Sequence, residues 1–153
     1  MSSVLDTLAR MRLFDGLNDD ELTLLETLVF VNRVVAGETL CREGDKSDFV
    51  CFVVRGSLDI VKTNVDGGEV VIAHLHAGDS MGEMALVDNQ PRSATVRVAE
   101  DATLIVMTHK GLEQLRQRSP AAATQVMENI ARLLCVHLRR TSSQLAQFKL
   151  AAG

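Results

Sequence analysis

The sequence predicts a mainly β domain: an antiparallel roll or barrel of short strands, with short N-terminal helices and a long C-terminal helix. Three observations point to it. Runs rich in β-branched residues fill the middle of the chain, from Phe49 to Met107. Glycines separate them at short intervals, at Gly37, Gly44, Gly56, Gly67-Gly68 and Gly78, the spacing of short strands joined by turns. Both ends of the chain switch to apolar residues at helical spacing.

Val4, Leu5, Leu8 and Met11 fall on one face of a first short helix, with Ser2 or Ser3 as its cap. Asn18 precedes Glu21 by three residues, a capping-box spacing, and Leu22, Leu25, Leu28 and Val29 follow at helical intervals. The period then changes. Strands are predicted over Phe49–Val54, Ser57–Lys62, Val70–Ala73, Ala94–Val98 and Leu104–Met107. Asp66-Gly67 marks a hairpin, whose turn requires positive φ angles that these two residues accept. Thr108 caps a short helix ending near Arg118. Ser119-Pro120 starts the last helix, with serine as cap and proline at the first helical position. Met127, Ala131, Leu134, Leu138, Thr141, Leu145 and Phe148 then recur at alternating spacings of four and three, a three-heptad seam. Ile130 and Leu133 widen this stripe beyond what packing on one small roll requires, so the helix is expected to pair two copies as a homodimer. The chain divides accordingly into residues 1–118, the roll with its N-terminal helices and a short hinge helix, and residues 119–153, a lid and dimerisation helix.

Composition narrows the function. The 153 residues are 46% hydrophobic, enough for one core, but only 3% aromatic, with no Trp or Tyr. Stacking platforms for single-stranded nucleic acid are therefore not expected. Cys41, Cys51 and Cys135 lack disulfide or metal-ligand spacing and read as buried thiols in a reducing compartment. Met1 to Met11 carries Asp6 and Arg10 rather than the apolar block of a signal peptide, and no apolar run is long enough for a membrane span. A soluble cytoplasmic protein with no membrane partner is expected. The net charge of −4 is uneven: from His109 onward seven Lys/Arg face two acids, leaving +5 there and −9 in the remainder. On a long helix such charges read as a solvated face.

The chemistry concentrates in Gly78 to Val98, which read GDSMGEMALVDNQPRSATVRV. Gly82 lets the backbone turn without obstruction. Glu83-Met84-Ala85-Leu86 suits one helical turn whose first amides face outward and favour an anion. Asp88-Asn89-Gln90 is turn-rich, and Pro91 closes it before a strand. Arg92 at that corner can offer a forked donor to a phosphate. The loop around it contains no lysine, and Arg97 lies on the outgoing strand. Glu83 would repel a phosphate, so it fits only as an acceptor from a neutral part of the ligand, such as a sugar hydroxyl. With no ligand bound, an arginine beside amide donors has no anion to meet.

GEMALVDNQPRSATV resembles the phosphate-binding cassette of cyclic-nucleotide-binding domains, found in the catabolite activator family, protein kinase A regulatory subunits and cyclic-nucleotide-gated channels. That family's pattern is Gly-Glu-(apolar)-(small)-Leu, a short gap, then Arg-(small)-Ala-Thr-(apolar), and every element is present. The resemblance spans roughly Phe14 to Phe148, without a helix–turn–helix domain after the long helix. It implies that Gly82 and Glu83 meet the ribose, Glu83 through the 2′-hydroxyl. It implies that Arg92 pairs with the cyclic phosphate, aided by Ser93 and by amides near Met84 and Ala85. It further implies that Thr141 and Ser142, at the place of a Thr-Ser pair in the catabolite activator family, contact the base. Ser93, where several relatives carry a guanine-binding threonine, leaves cyclic GMP open, and cyclic AMP is favoured. The fold that the resemblance implies is an eight-stranded antiparallel β-roll (a double-stranded β-helix), and the expected protein is a stand-alone, non-catalytic sensor with no cofactor. Its ligand would couple to movement of the last helix and to a downstream protein partner that the sequence does not identify.

Two other classes are weighed against this. His74-Leu75-His76 with Glu83 suggests a cupin-like metal-binding enzyme. Six residues separate His76 from Glu83, however, where the cupin motif has three or four, and a second histidine motif is missing. A regulator that binds DNA through an unrecognised element is the other. Without a recognition helix before Gly153, base readout has no vehicle, and nucleic acid is not an expected partner.

Overall fold

The computed structural model describes residues 4–88 and 90–152. Ser2 and Ser3, the candidate caps of the first helix, lie outside the described residues, as does Asn89 in the turn before Pro91. Helix α1 (Val4–Ala9) leads into a 3-10 turn (Arg12–Phe14) and α2 (Asp19–Glu26). The Asn18 side chain accepts from the Glu21 amide at 2.8 Å, and the Glu21 carboxylate accepts from the Asn18 amide at 2.9 Å, which completes the expected capping box. Leu28 and Val29 do not continue that helix. The chain turns at Thr27, and Val29 opens strand β1 (Val29–Val34), whose β-branched residues pair with a partner strand.

Strands β2 (Thr39–Cys41), β3 (Phe49–Thr63), β4 (Glu69–Leu75), β5 (Ser80–Met81) and β6 (Thr95–Thr108) complete an antiparallel sheet in the order β1-β6-β3-β4, with β2 on β6 and β5 on β3. Among the described residues there are six strands, not eight. The difference lies in β3 and β6, where two pairs of predicted short strands are continuous. Gly56 permits this: at φ 88° it bulges the strand, and the pairing with β6 shifts register around it. A Cβ on Gly56 would lie 2.3 Å from the Asp101 carbonyl oxygen, so the two long strands bend together where no side chain intervenes. The β3–β4 hairpin turns at Asp66-Gly67 as expected, with the Asn64 side chain accepting from Asp66 and Gly68 amides.

The run Val50-Cys51-Phe52-Val53 is apolar throughout because its two faces serve two cores. Val50 and Phe52 join Ile105 and Met107 beneath the helices, with Phe14, Leu25, Leu112 and Leu115. Cys51 and Val53 join Val96, Val98, Leu104 and Val106 inside the roll. Phe14 and Phe52 meet at 5.2 Å between ring centroids, tilted by 58°.

Helix α4 (His109–Arg118) is capped by Thr108 at 3.1 Å from the Gly111 amide. Helix α5 (Pro120–Ala152) starts with Ser119 as cap and Pro120 first, as predicted. Its first half packs on α4 and the 3-10 turn through Ala122, Ala123, Val126 and Ile130. The buried Asn129 side chain locks it there by donating to the Leu13 and Asp15 carbonyls at 2.9 and 2.8 Å. Two expectations change. Ile130 and Leu133 pack on their own domain rather than widening a face for a second copy. Cys135 is exposed, because α5 leaves the roll beyond Leu134; Cys41 and Cys51 are buried. The seam residues past that point are uncovered, with Leu138 67% and Phe148 70% exposed. No helix among the described residues is long and apolar enough to cross a membrane.

Candidate functional site

Ser80-Met81 is the short strand β5, paired to β3 through Cys51 and Phe52. Gly82 then turns the chain at φ 90°, and helix α3 (Glu83–Asp88) begins at once. The amides of its first turn, Glu83 to Leu86, have no carbonyl one turn back within the helix to bond. Met84 and Ala85 stand in that turn by their backbone, as the sequence predicts. Glu83 at the first helical position is where a carboxylate is favoured by the helix dipole. It is 6% exposed and accepts a hydrogen bond from the Ser80 hydroxyl.

Arg92 is 7% exposed. Its backbone is fixed by the loop between β2 and β3: its amide donates to the Asp45 carbonyl at 2.7 Å, and its carbonyl accepts from the Gly44 amide at 2.8 Å. Its guanidinium donates from Nε to the Ser47 hydroxyl and from Nη2 to the Phe49 carbonyl. The guanidinium carbon stands 4.6 Å from the centroid of the Phe49 ring, a cation–π contact. Neutral acceptors and a ring face therefore hold the Arg92 guanidinium, which the sequence alone does not reveal. No local pattern links Ser47 or Phe49 to a residue more than forty positions away.

Gly82, Glu83, Arg92 and Ser93 line one cavity of about 140 Å³ together with Ile60, Met81, Asp88, Gln90, Pro91, Ala94 and Val96. The Glu83 carboxylate and the Arg92 guanidinium thus belong to residues that line one cavity, at the point where α3 begins. A larger open groove of about 1140 Å³ runs between α1, β1 and the bend of β3, but none of these cassette residues line it. Chemistry, not size, locates the site.

Thr141 and Ser142 are not brought to this cavity within one chain. Both are exposed on α5, and the Thr141 hydroxyl donates to the His137 carbonyl of its own helix at 2.9 Å. Lys62 is a cation the sequence reading passed over. It donates to the Ser93 carbonyl and lies 3.6 Å from Glu43, so it braces the outgoing end of the cassette from β3. Ser80, the partner of Glu83, carries a weak signal in its spacing of three residues.

The structure gives His74 and Glu83 different partners. His74 is exposed on β4 and pairs with Asp59 at 2.6 Å, while Glu83 bonds Ser80. Among the described residues no three His, Cys, Asp or Glu side chains cluster as metal ligands. Behind the cavity, burial pushes the Cys51 thiol up to about 12, with the Arg92 charge opposing the shift. Burial raises Cys41 likewise. Neither thiol forms a nucleophile at neutral pH.

Residues 31–119 match the family model described as the cyclic nucleotide-binding domain. A cAMP-dependent protein kinase regulatory subunit of Blastocladiella emersonii is 35% identical over 92 residues, 60% of this chain and 23% of that protein. The N-terminal domain of a transcriptional regulator from Streptomyces coelicolor A3(2) superposes with a TM-score of 0.77 at 29% identity, covering 92% of this chain and 95% of that one. The regulatory domain of Toxoplasma gondii protein kinase A, crystallised with cAMP, gives a TM-score of 0.67 at 28% identity over 73% of this chain and 42% of that one. The chain spans 23%, 18% and 51% of the length of three curated relatives it matches, a kinase regulatory subunit, a potassium channel and a transcriptional regulator.

Proposed function

The chain belongs to the cyclic nucleotide-binding domain family, and on that premise we propose that it is a non-catalytic regulatory sensor for cyclic AMP, with cyclic GMP as the weaker ligand. The observation that carries this reading is that two buried residues of opposite charge type, Glu83 and Arg92, line one cavity at the start of α3. The guanidinium and the first amides of α3 suit the cyclic phosphate, with Ser93 adding a donor. The carboxylate suits the ribose 2′-hydroxyl, close to Gly82. The names of the kinase relatives, which include cAMP, support the choice of base.

The cavity size bears on the base. About 140 Å³ is below the ~300 Å³ at which small-molecule pockets usually begin. Ribose and phosphate would fill it, and the base would project outward and need a cover. The exposed half of α5 from a second copy is our candidate, with Thr141 and Ser142 meeting the base and Leu138, Leu145 and Phe148 forming the dimer seam. Residues 1–118 would then act as the ligand-binding roll and residues 119–153 as lid and dimerisation helix. Ligand binding and helix position would be one coupled equilibrium, passed on to a downstream protein partner. Calorimetric titration with cyclic AMP, cyclic GMP and cyclic di-GMP tests the reading. Binding of the first two, cyclic AMP more tightly, is expected; binding of neither would refute it.

A further inference from the structure

We propose that Ser47 is a positioning residue for Arg92: with the Phe49 carbonyl it occupies the Nε/Nη2 edge of the guanidinium and so presents the Nη1/Nη2 end to the cavity. The proposal rests on the reading of that cavity as the ligand site. A guanidinium carries five N–H donors in one plane, arranged so that two different edges can each grip an oxyanion with a parallel pair. The edge formed by Nε and Nη2 is taken by the Ser47 hydroxyl and the Phe49 carbonyl, with the Phe49 ring against the guanidinium plane. Nη1 makes neither of these contacts. It stands where a Cβ on residue 82 would be 2.3 Å away, over the glycine that lines the cavity beside Glu83. Arg92 lines that cavity, and the end edge, which neither the Ser47 hydroxyl nor the Phe49 carbonyl fills, is the edge left for an anion.

This arrangement decides the sign of the effect. A phosphate needs one edge of the fork, and the end edge is not the one Ser47 holds, so the ligand need not displace Ser47. Without the hydroxyl, the long side chain would spread over several rotamers, and ordering it would oppose binding. Ser47 comes from the same loop that fixes the Arg92 backbone through Gly44 and Asp45, so one loop sets both ends of the residue. Ser47 should strengthen binding, not compete with it.

The test is calorimetric titration of the full chain with cyclic AMP and cyclic GMP, using Ser47→Ala, Ser47→Thr and each combined with Arg92→Lys. Ser47→Ala should bind ~3- to 10-fold more weakly, the range for one lost hydrogen bond. Ser47→Thr, which keeps the hydroxyl, should recover affinity to within about twofold of the parent. In the Arg92→Lys background, which has no fork to orient, Ser47→Ala should add nothing. Ser47→Ala binding as tightly as the parent, or losing as much with lysine at 92 as with arginine, overturns the positioning role alone. A parent that binds neither nucleotide refutes the reading of the cavity, and the positioning role with it.

Discussion

Gly82 lies directly against the guanidinium of Arg92: a Cβ built on the glycine would stand 2.3 Å from Nη1 and 2.6 Å from the Phe49 carbonyl oxygen. The backbone there has φ 90°, a conformation side chains oppose, and the carbonyl belongs to strand β3, which cannot retreat. Gly82→Ala should therefore displace Arg92 as well as strain the turn. Thermal unfolding should show a loss of about 1–3 kcal/mol. Cyclic AMP affinity, by calorimetry, should fall by roughly tenfold or more, equivalent to about 1.4 kcal/mol of displaced fork.

Glu83→Ala should weaken cyclic nucleotides by about 1.5–3 kcal/mol, the value of a hydrogen bond to a charged group. A 2′-deoxy analogue should lose a similar amount with the parent and little more with the variant. Additive losses in that cycle would mean that Glu83 does not touch the ribose.

Replacing Leu138 and Leu145 together by Glu should convert a dimer into a monomer in light scattering. Both side chains are more than half exposed and leave the domain's own core intact. A monomer before substitution would contradict the seam.

The buried thiols set a sign for alkaline stability. The folded Cys51 value of about 12 lies above the usual 9.0, so its stabilising contribution is complete below about pH 9 and declines as pH rises toward 12. Cys51 should contribute a slope of about −1.4 kcal/mol per pH unit in that window. Urea unfolding between pH 9 and 11 should show a shallower decline in Cys51→Ala than in the parent.

The legible parts of this fold were those written in local sequence. The Asn18–Glu21 capping box, the Ser119-Pro120 helix start and the Asp66-Gly67 turn each depend on neighbours a few residues apart, and each forms. That Glu83 and Arg92 come to one cavity was legible for the same reason, because they lie in one contiguous segment. Strand count was not, since a glycine that ends one strand and a glycine that bulges a continuous one look alike until Gly56 is seen against Asp101. The anchoring of α5 by Asn129 and the hold of Ser47 and Phe49 on Arg92 join residues brought together only by the folded sheet and helices. The same limit hid the division of α5 into a packed half and an exposed half, because a stripe of leucines does not say which surface covers it.

The central claim is that Arg92 holds the phosphate of a cyclic nucleotide, and calorimetric titration of Arg92→Ala and Arg92→Lys with cyclic AMP tests it most directly. The alanine variant should lose about 2–5 kcal/mol, or roughly 30-fold to several thousand-fold in affinity, the range for removing one partner of a buried, hydrogen-bonded charge pair. The lysine variant keeps the charge but not the fork and should bind measurably more weakly than the parent. Circular dichroism of the ligand-free variants separates a lost contact from a lost fold, since Arg92 also ties Ser47 and Phe49 together. A folded alanine variant that binds cyclic AMP within about threefold of the parent, less than the 1.4 kcal/mol of a tenfold change, would contradict the account.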